Sequence, residues 1–287
     1  MRRIIATFFI AAVGLFPFAG AVTAADRIVS VGGSITEILY ALGAGGDIVA
    51  ADTTSIYPSE TADLPKVGYM RALAAEPILA LNPGLVIATD DAMPQTVLDQ
   101  IAAAGVPVSI IVDDPTADGA VYKIRQIAAA TDHEAAGAAL ANEVEAGFRD
   151  LAAALEGAEG RPQVLFLLSV GDGAAMAAGQ ETAADGIISL AGGSNALNGF
   201  VGYRPLSPEA AAGLDPALVV VAAHSVETMG GIDAMVARPD LGLIPAVRDG
   251  RILVIDANYL LGFGPRSADA ARELALQLHP ELAATLP

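Results

Sequence analysis

The 287-residue sequence contains no cysteine. That absence excludes disulfides, thiolate metal sites, a cysteine nucleophile and attachment of a lipid through a cysteine at a cleavage point. Basic residues are scarce. The 15 Lys and Arg stand against 33 Asp and Glu, for a formal charge of -18. A surface that acidic repels a phosphate backbone, so no nucleic-acid partner is expected, whereas a basic docking partner suits it. Histidine is limited to His133, His224 and His279, which lie too far apart to form a zinc-binding spacing. Beyond the N terminus, no segment stays apolar and uncharged for the roughly 20 residues that a membrane-spanning helix needs.

What is present begins with a leader. Arg2 and Arg3 precede an apolar run from Ile4 to Phe18, broken by Gly14 and Pro17, and the small residues Val22-Thr23-Ala24 follow. Residues 1–24 therefore read as a secretory signal peptide cleaved near Ala24 or Ala25. Its loss removes two arginines and leaves the mature chain still more acidic. The expectation is an exported chain without a lipid anchor, in a periplasm or outside the cell. A hydrophobic content of 54% supplies sizeable cores for one large or two modest domains.

Residues 25–115 alternate short apolar runs with helical patterns, which predicts an α/β lobe with a parallel sheet. The runs RIVSV, GDIVAAD, LVIAT and PVSIIV read as strands, and ITEILYALG and MPQTVLDQIAAAG as helices. Ser34 with Glu37 fits a capping box, and Gly32-Gly33-Ser34 reads as a turn because it matches neither the dinucleotide fingerprint nor a P-loop. Residues 116–160 are Ala-rich and lack a strand signal. Asp132 is placed to cap a helix over 133–156, with Leu140, Val144, Phe148, Leu151 and Leu155 along one face, about 36 Å long and able to bridge two lobes. Residues 161–287 resume the α/β alternation.

A repeat links the two α/β regions. Glu76, Leu81, Pro83, Leu85 and Val86 match Glu209, Leu214, Pro216, Leu218 and Val219 without a gap, and Gly68-Tyr69 matches Gly202-Tyr203 with a one-residue shift. Each half thus carries a Gly-Tyr segment ahead of a Glu at a helix start. Ligands of open α/β sheets sit beyond the carboxyl ends of the strands, so both tyrosines can face one cleft.

The segments SVGGSITEILYALG, GYMRALAAE, GYRPLSPEA and GFGPR resemble the haem-binding periplasmic proteins of bacterial ABC haem importers. These lie within the helix-linked binding proteins that also serve siderophores and cobalamin. The similarity runs through essentially the whole mature chain, and Gly68-Tyr69-Met70-Arg71 is its specific part. The resemblance implies two Rossmann-like lobes joined by a long rigid helix, haem as the transported ligand, and Tyr69 as ligand to its iron. The chemistry is sound on its own terms: a free phenol is neutral near pH 7, but ferric iron and a nearby guanidinium both favour the phenolate. Arg71 can support that phenolate or pair with a propionate. Tyr203 is expected to pack or hydrogen-bond on the other haem face. His224, at the end of LVVVAA, is either a further iron ligand or a residue satisfied within the fold. Arg266, in the Phe263-to-Arg266 turn, can offset a propionate, and Phe263, Met70, Met176 and Met229 are candidates to line the slot or the core. His133 and His279 read as surface residues.

The same resemblance gives Glu76 and Glu209 a role in docking to basic residues of the ABC permease, which works with its ATPase. It also admits an outer-membrane haem receptor as the source of ligand. A carboxylate at a helix start is favoured by the helix dipole in any case. The alternative ligand within this architecture is a ferric siderophore or a corrinoid. An enzyme is not expected. Ser34 and Ser207 lie outside any Gly-x-Ser-x-Gly elbow, and Asp113-Asp114 before Pro115 reads as a turn.

Overall fold

A computed structural model describes residues 26–170 and 173–286. The predicted signal peptide lies outside them. Four buried apolar runs form the first sheet: β1 (Ile28–Val31), β2 (Ile48–Ala51), β3 (Leu85–Thr89) and β4 (Val108–Ile111), in the order β2-β1-β3-β4. All its pairings are parallel. The helices α1 (Gly33–Ala41), α2 (Ala75–Leu79) and α3 (Gln95–Ala103) belong to this lobe. Strands β1 and β3 are buried along their whole length, as helix-covered parallel strands must be.

The linking region is a helical hairpin. α4 (Ala117–Ala130) is capped by Thr116, whose hydroxyl accepts from the Gly119 N–H at 2.9 Å. α5 (Glu134–Leu155) has 22 residues and spans about 33 Å at 1.5 Å per residue. Its buried positions, Gly137, Ala141, Val144, Phe148 and Leu151, follow the three-and-four spacing of one helix face. A Cβ on Gly137 would meet Ala128 of α4 at 2.2 Å, and one on Gly147 would meet Ala268 at 2.7 Å. The two glycines let α5 lie flush against a neighbour on each side. Asp132 does not cap α5; it takes a left-handed backbone, φ 57°, and His133 holds the cap position.

The second sheet contains β5 (Gln163–Ser169), β6 (Met176–Ala178), β7 (Ser194–Asn195), β8 (Tyr203–Pro205), β9 (Leu218–Ala222) and β10 (Ile252–Ile255). Its parallel part runs β7-β5-β9-β10, the order of the first sheet over again. The duplication seen in the sequence is therefore also a duplication of topology. The difference is an antiparallel pair, β6 and β8, inserted beside the carboxyl end of β5. β7 pairs with the start of β5, and β6 occupies the rest of that edge. The helices here are α6 (Ala183–Leu190), α7 (Pro208–Ala212), α8 (Ala223–Met229), α9 (Ile232–Val236), α10 (Pro245–Arg248), α11 (Ala257–Leu261) and α12 (Ser267–Leu278). One apolar cluster runs through α1, α4, α5, α12 and the near faces of both sheets, while each lobe keeps a smaller core of its own. No helix of the described residues is long and apolar enough to cross a membrane.

Candidate functional site

A cavity of about 610 Å³ opens between the lobes, bounded by residues of both sheets' carboxyl ends. This is where ligands of open α/β sheets lie. Its first-lobe wall includes Tyr69, Met70, Arg71, Asp91 and Asp113; its second-lobe wall includes Leu168, Tyr203 and His224. A broader and shallower hollow elsewhere on the first lobe is bordered by Leu73, Leu79, Val97 and Glu76. It lacks the convergent polar groups that distinguish the cleft.

The cleft floor is set by a buried acid with no motif around it to mark it out. Asp52 is fully buried after β2 and accepts from the N–H groups of Gly32 and Thr54, both at 3.0 Å, and from the hydroxyls of Thr54 and Ser55 at 2.8 and 2.9 Å. The chain continues through Ser55, Thr36 and Ser30, each step 2.7 Å. A fully satisfied buried network of this kind fixes local geometry. It holds Gly32-Gly33-Ser34 and Thr53-Thr54 at the floor. Ser34 and Glu37 form no capping box: α1 starts at Gly33, no side chain caps it, and Glu37 turns to Arg266 instead.

Gly68 carries the Tyr69 segment. Its φ of 102° is open to glycine and costly for other residues, and its carbonyl accepts from the Thr53 N–H at 2.9 Å. Past the tyrosine, the Ala72 N–H closes a turn on the Tyr69 carbonyl at 2.8 Å, and the Met93 N–H binds the Met70 carbonyl at 2.8 Å. The backbone is thus tied on both sides while the phenol stays 47% exposed in the cleft. Arg71 donates to Asp91 at 2.6 Å. Burial works to lower its pKa, but Asp91, with smaller contributions from Tyr69 and Tyr203, drives it upward, so the guanidinium is firmly charged.

Tyr203 follows Gly202, φ 80°, but lies in strand β8 and not in a loop. Burial pushes its hydroxyl pKa up, while Ala184 and Thr182 at the start of α6, and Arg71 across the cleft, oppose the rise. This phenol is kept neutral. His224 sits in the first turn of α8, exposed to the cleft, with Nε2 3.2 Å from the Ser225 hydroxyl, which in turn donates to the Leu168 carbonyl at 2.9 Å. Met70 is half-buried in the lining.

Two residues expected in the pocket are elsewhere. Phe263 is fully buried in the core shared by both lobes, where an aromatic ring gains most from leaving water. Arg266 is absent from the lining because Glu37 captures it: Nε and Nη2 each bind a Glu37 oxygen at 2.8 Å, and the guanidinium lies 3.5 Å from the centre of the Tyr57 ring. Met176 lies in β6, and Met229 packs on the second-lobe core. His279 is not a surface residue; it is buried, with Nε2 3.3 Å from the Gly192 carbonyl.

One buried amine has no signature in the sequence. Lys123 of α4 is 1% exposed, and its Nζ lies 2.5 Å from Asp113 Oδ1 and 2.8 Å from the Gly262 carbonyl. Burial raises the Asp113 pKa, while Lys123 opposes the rise. Glu76 and Glu209 are exposed in the first turns of α2 and α7, outside the cleft lining, with α7 capped by Ser207 and started by Pro208.

The model of the family described as periplasmic binding protein matches residues 28–259. This chain belongs to that family. Among solved structures it is similar to the periplasmic heme-binding protein RhuT from Roseiflexus sp. RS-1 in apo form, at 41% identity and a TM-score of 0.85, over 90% of this chain and 99% of that one. It is similar also to the periplasmic heme-binding protein BhuT in complex with two hemes, at 39% identity and a TM-score of 0.79, over 90% and 99%. The uncharacterized ABC transporter substrate-binding lipoprotein YvrC of Bacillus subtilis is 27% identical over 89% of this chain and 80% of its own length. A vitamin B12-binding protein of Yersinia pestis is 42% identical, but over only 32% of each chain.

Proposed function

We propose that this chain binds ferric haem in the cleft between its lobes and delivers it, in the periplasm, to the permease of an ABC importer. The observation that carries the reading is Tyr69. Its phenol stands exposed in the cleft on a segment whose backbone is tied at both ends, with a charged guanidinium two residues away. A phenolate ligand with a neighbouring positive charge suits ferric iron. The opposite wall contributes Tyr203 as a neutral phenol and His224 as an exposed imidazole. We read the gap between these two walls as the seat of a flat macrocycle. The likeness to haem-binding proteins across nine-tenths of the chain supports the same ligand.

In this reading Tyr69 is the iron ligand, Arg71 supports its phenolate, Met70 and Tyr203 pack against the macrocycle, and His224 faces the second axial side. Glu76 and Glu209 meet basic residues of the permease. The mature chain, lacking cysteine for a lipid, moves freely between the source of haem and the importer. A corrinoid is the second reading, favoured by the partial match to a vitamin B12-binding protein. Parallel titrations decide between them. Saturable visible-absorption changes with ferric haem at micromolar protein, and none with cobalamin, are expected; the reverse pattern would replace haem by a corrinoid.

A further inference from the structure

The stretch from Asp256 to Arg266 belongs to the second lobe by sequence but fastens to the first lobe and to the linking hairpin. Asn258 donates to the Thr54 carbonyl at 2.5 Å. The Gly262 carbonyl accepts from Lys123, whose amine is held by Asp113. Arg266 grips Glu37 through both oxygens at 2.8 Å and lies over the Tyr57 ring. Three fasteners thus fall within nine residues, all beside the cleft floor.

We infer that residues 256–266 form a strap that sets the width of the cleft, and that Arg266 and Glu37 are positioning residues for a ligand they do not touch. The fasteners are strong by type. A bidentate guanidinium–carboxylate pair fixes direction as well as distance, and the Glu37 side chain is only 9% exposed. Lys123 is 1% exposed and holds two lobes and a helix through one amine. There is no slack beside them: a Cβ on Gly33 would meet the Thr54 carbonyl at 2.8 Å and the Asn258 side chain at 3.2 Å. Tyr69 and Tyr203 belong to opposite lobes, so any rocking of the lobes changes the gap between them. A flat ligand gripped on both faces needs that gap held constant. Asp113, Asn258 and Gly262 line the cleft, but Arg266 and Glu37 do not, so a change at the latter pair acts through lobe placement and not through lost contacts.

The absence of cysteine supplies a clean test. Gln100→Cys on α3 and Asp233→Cys on α9, both at exposed positions of different lobes, introduce the only two thiols for spin labels. In this background Glu37→Met with Arg266→Leu removes both charges together, which avoids stranding one of them. The ligand-free double variant is expected to show a broader inter-lobe distance distribution. It should release ferric haem about tenfold faster through lost preorganisation, with its phenolate-to-iron absorption kept because Tyr69 is untouched. Arg266→Lys keeps the charge but loses the fork and the stacking, so it should give an intermediate width even if the double variant folds poorly. A distribution as narrow as the unsubstituted protein's in both variants would overturn the strap. Since that distance is read without ligand, it stands apart from the haem reading on which the release arm rests. A broadened distribution with unchanged haem release would overturn the positioning role.

Discussion

The same dipeptide, Gly-Tyr, is used once in each lobe, and the two copies end in different states. Both glycines take positive φ and both tyrosines line one cleft. Tyr69 projects from a tied turn, exposed, beside a charged arginine. Tyr203 lies in β8, where burial raises its pKa. The difference comes from the β6–β8 insertion beside β5, which has no counterpart in the first sheet. Duplication places the two phenols at one cleft; local surroundings leave Tyr69 exposed on a turn and hold Tyr203 as a neutral residue of a strand.

The comparison breaks first at Tyr69. Replacing it with Phe keeps the ring and removes the oxygen. Haem affinity, measured by competition, should fall at least as far as the roughly 10–100-fold lost when partners of metal ligands are removed. Next in size is the other repeated element, the glutamates. Glu76→Lys with Glu209→Lys should leave haem affinity unchanged. Uptake by the reconstituted importer should fall by about tenfold or more, as like charges meet at the docking contact. Normal uptake at limiting protein would reduce both to helix-start residues. Tyr203→Phe should cost only about fivefold in haem affinity, the scale of one hydrogen bond. The smallest effect sharpens the shared part: Gly68→Ala and Gly202→Ala should each destabilise the fold by roughly 1–2 kcal/mol in denaturant titrations, since both glycines hold positive φ. A neutral result at either would mean that its segment relaxes without harm.

The lobes, their strand alternation and the repeat were legible because continuous apolar runs and amphipathic periodicity depend on local sequence. The pairing of Tyr69 with Tyr203 across one cleft followed from the repeat and from where open sheets bind ligands. The β6–β8 pair was not legible: its three-residue strands carry too little pattern, and their partner is the far end of β5. Arg266 was misplaced for a related reason. Its captor, Glu37, is 229 residues away and reads locally as part of a helix cap. Lys123 and Asp52 carry no sequence signal because burial, not spacing, gives them their role, and a lysine within an amphipathic helix reads as a solvated residue. His279 reads as surface because it lies near the C-terminus outside any ligand spacing, yet the fold buries it. Contacts between lobes are invisible to any window shorter than the distance they span.

We propose that the two matched tyrosines play unequal parts, with Tyr69 and not Tyr203 on the iron. The visible spectrum of the mature protein loaded with ferric haem, compared with those of Tyr69→Phe and Tyr203→Phe, separates the two roles. The phenolate-to-iron charge-transfer absorption should persist in Tyr203→Phe and vanish in Tyr69→Phe. Its survival in Tyr69→Phe together with its loss in Tyr203→Phe would contradict the account.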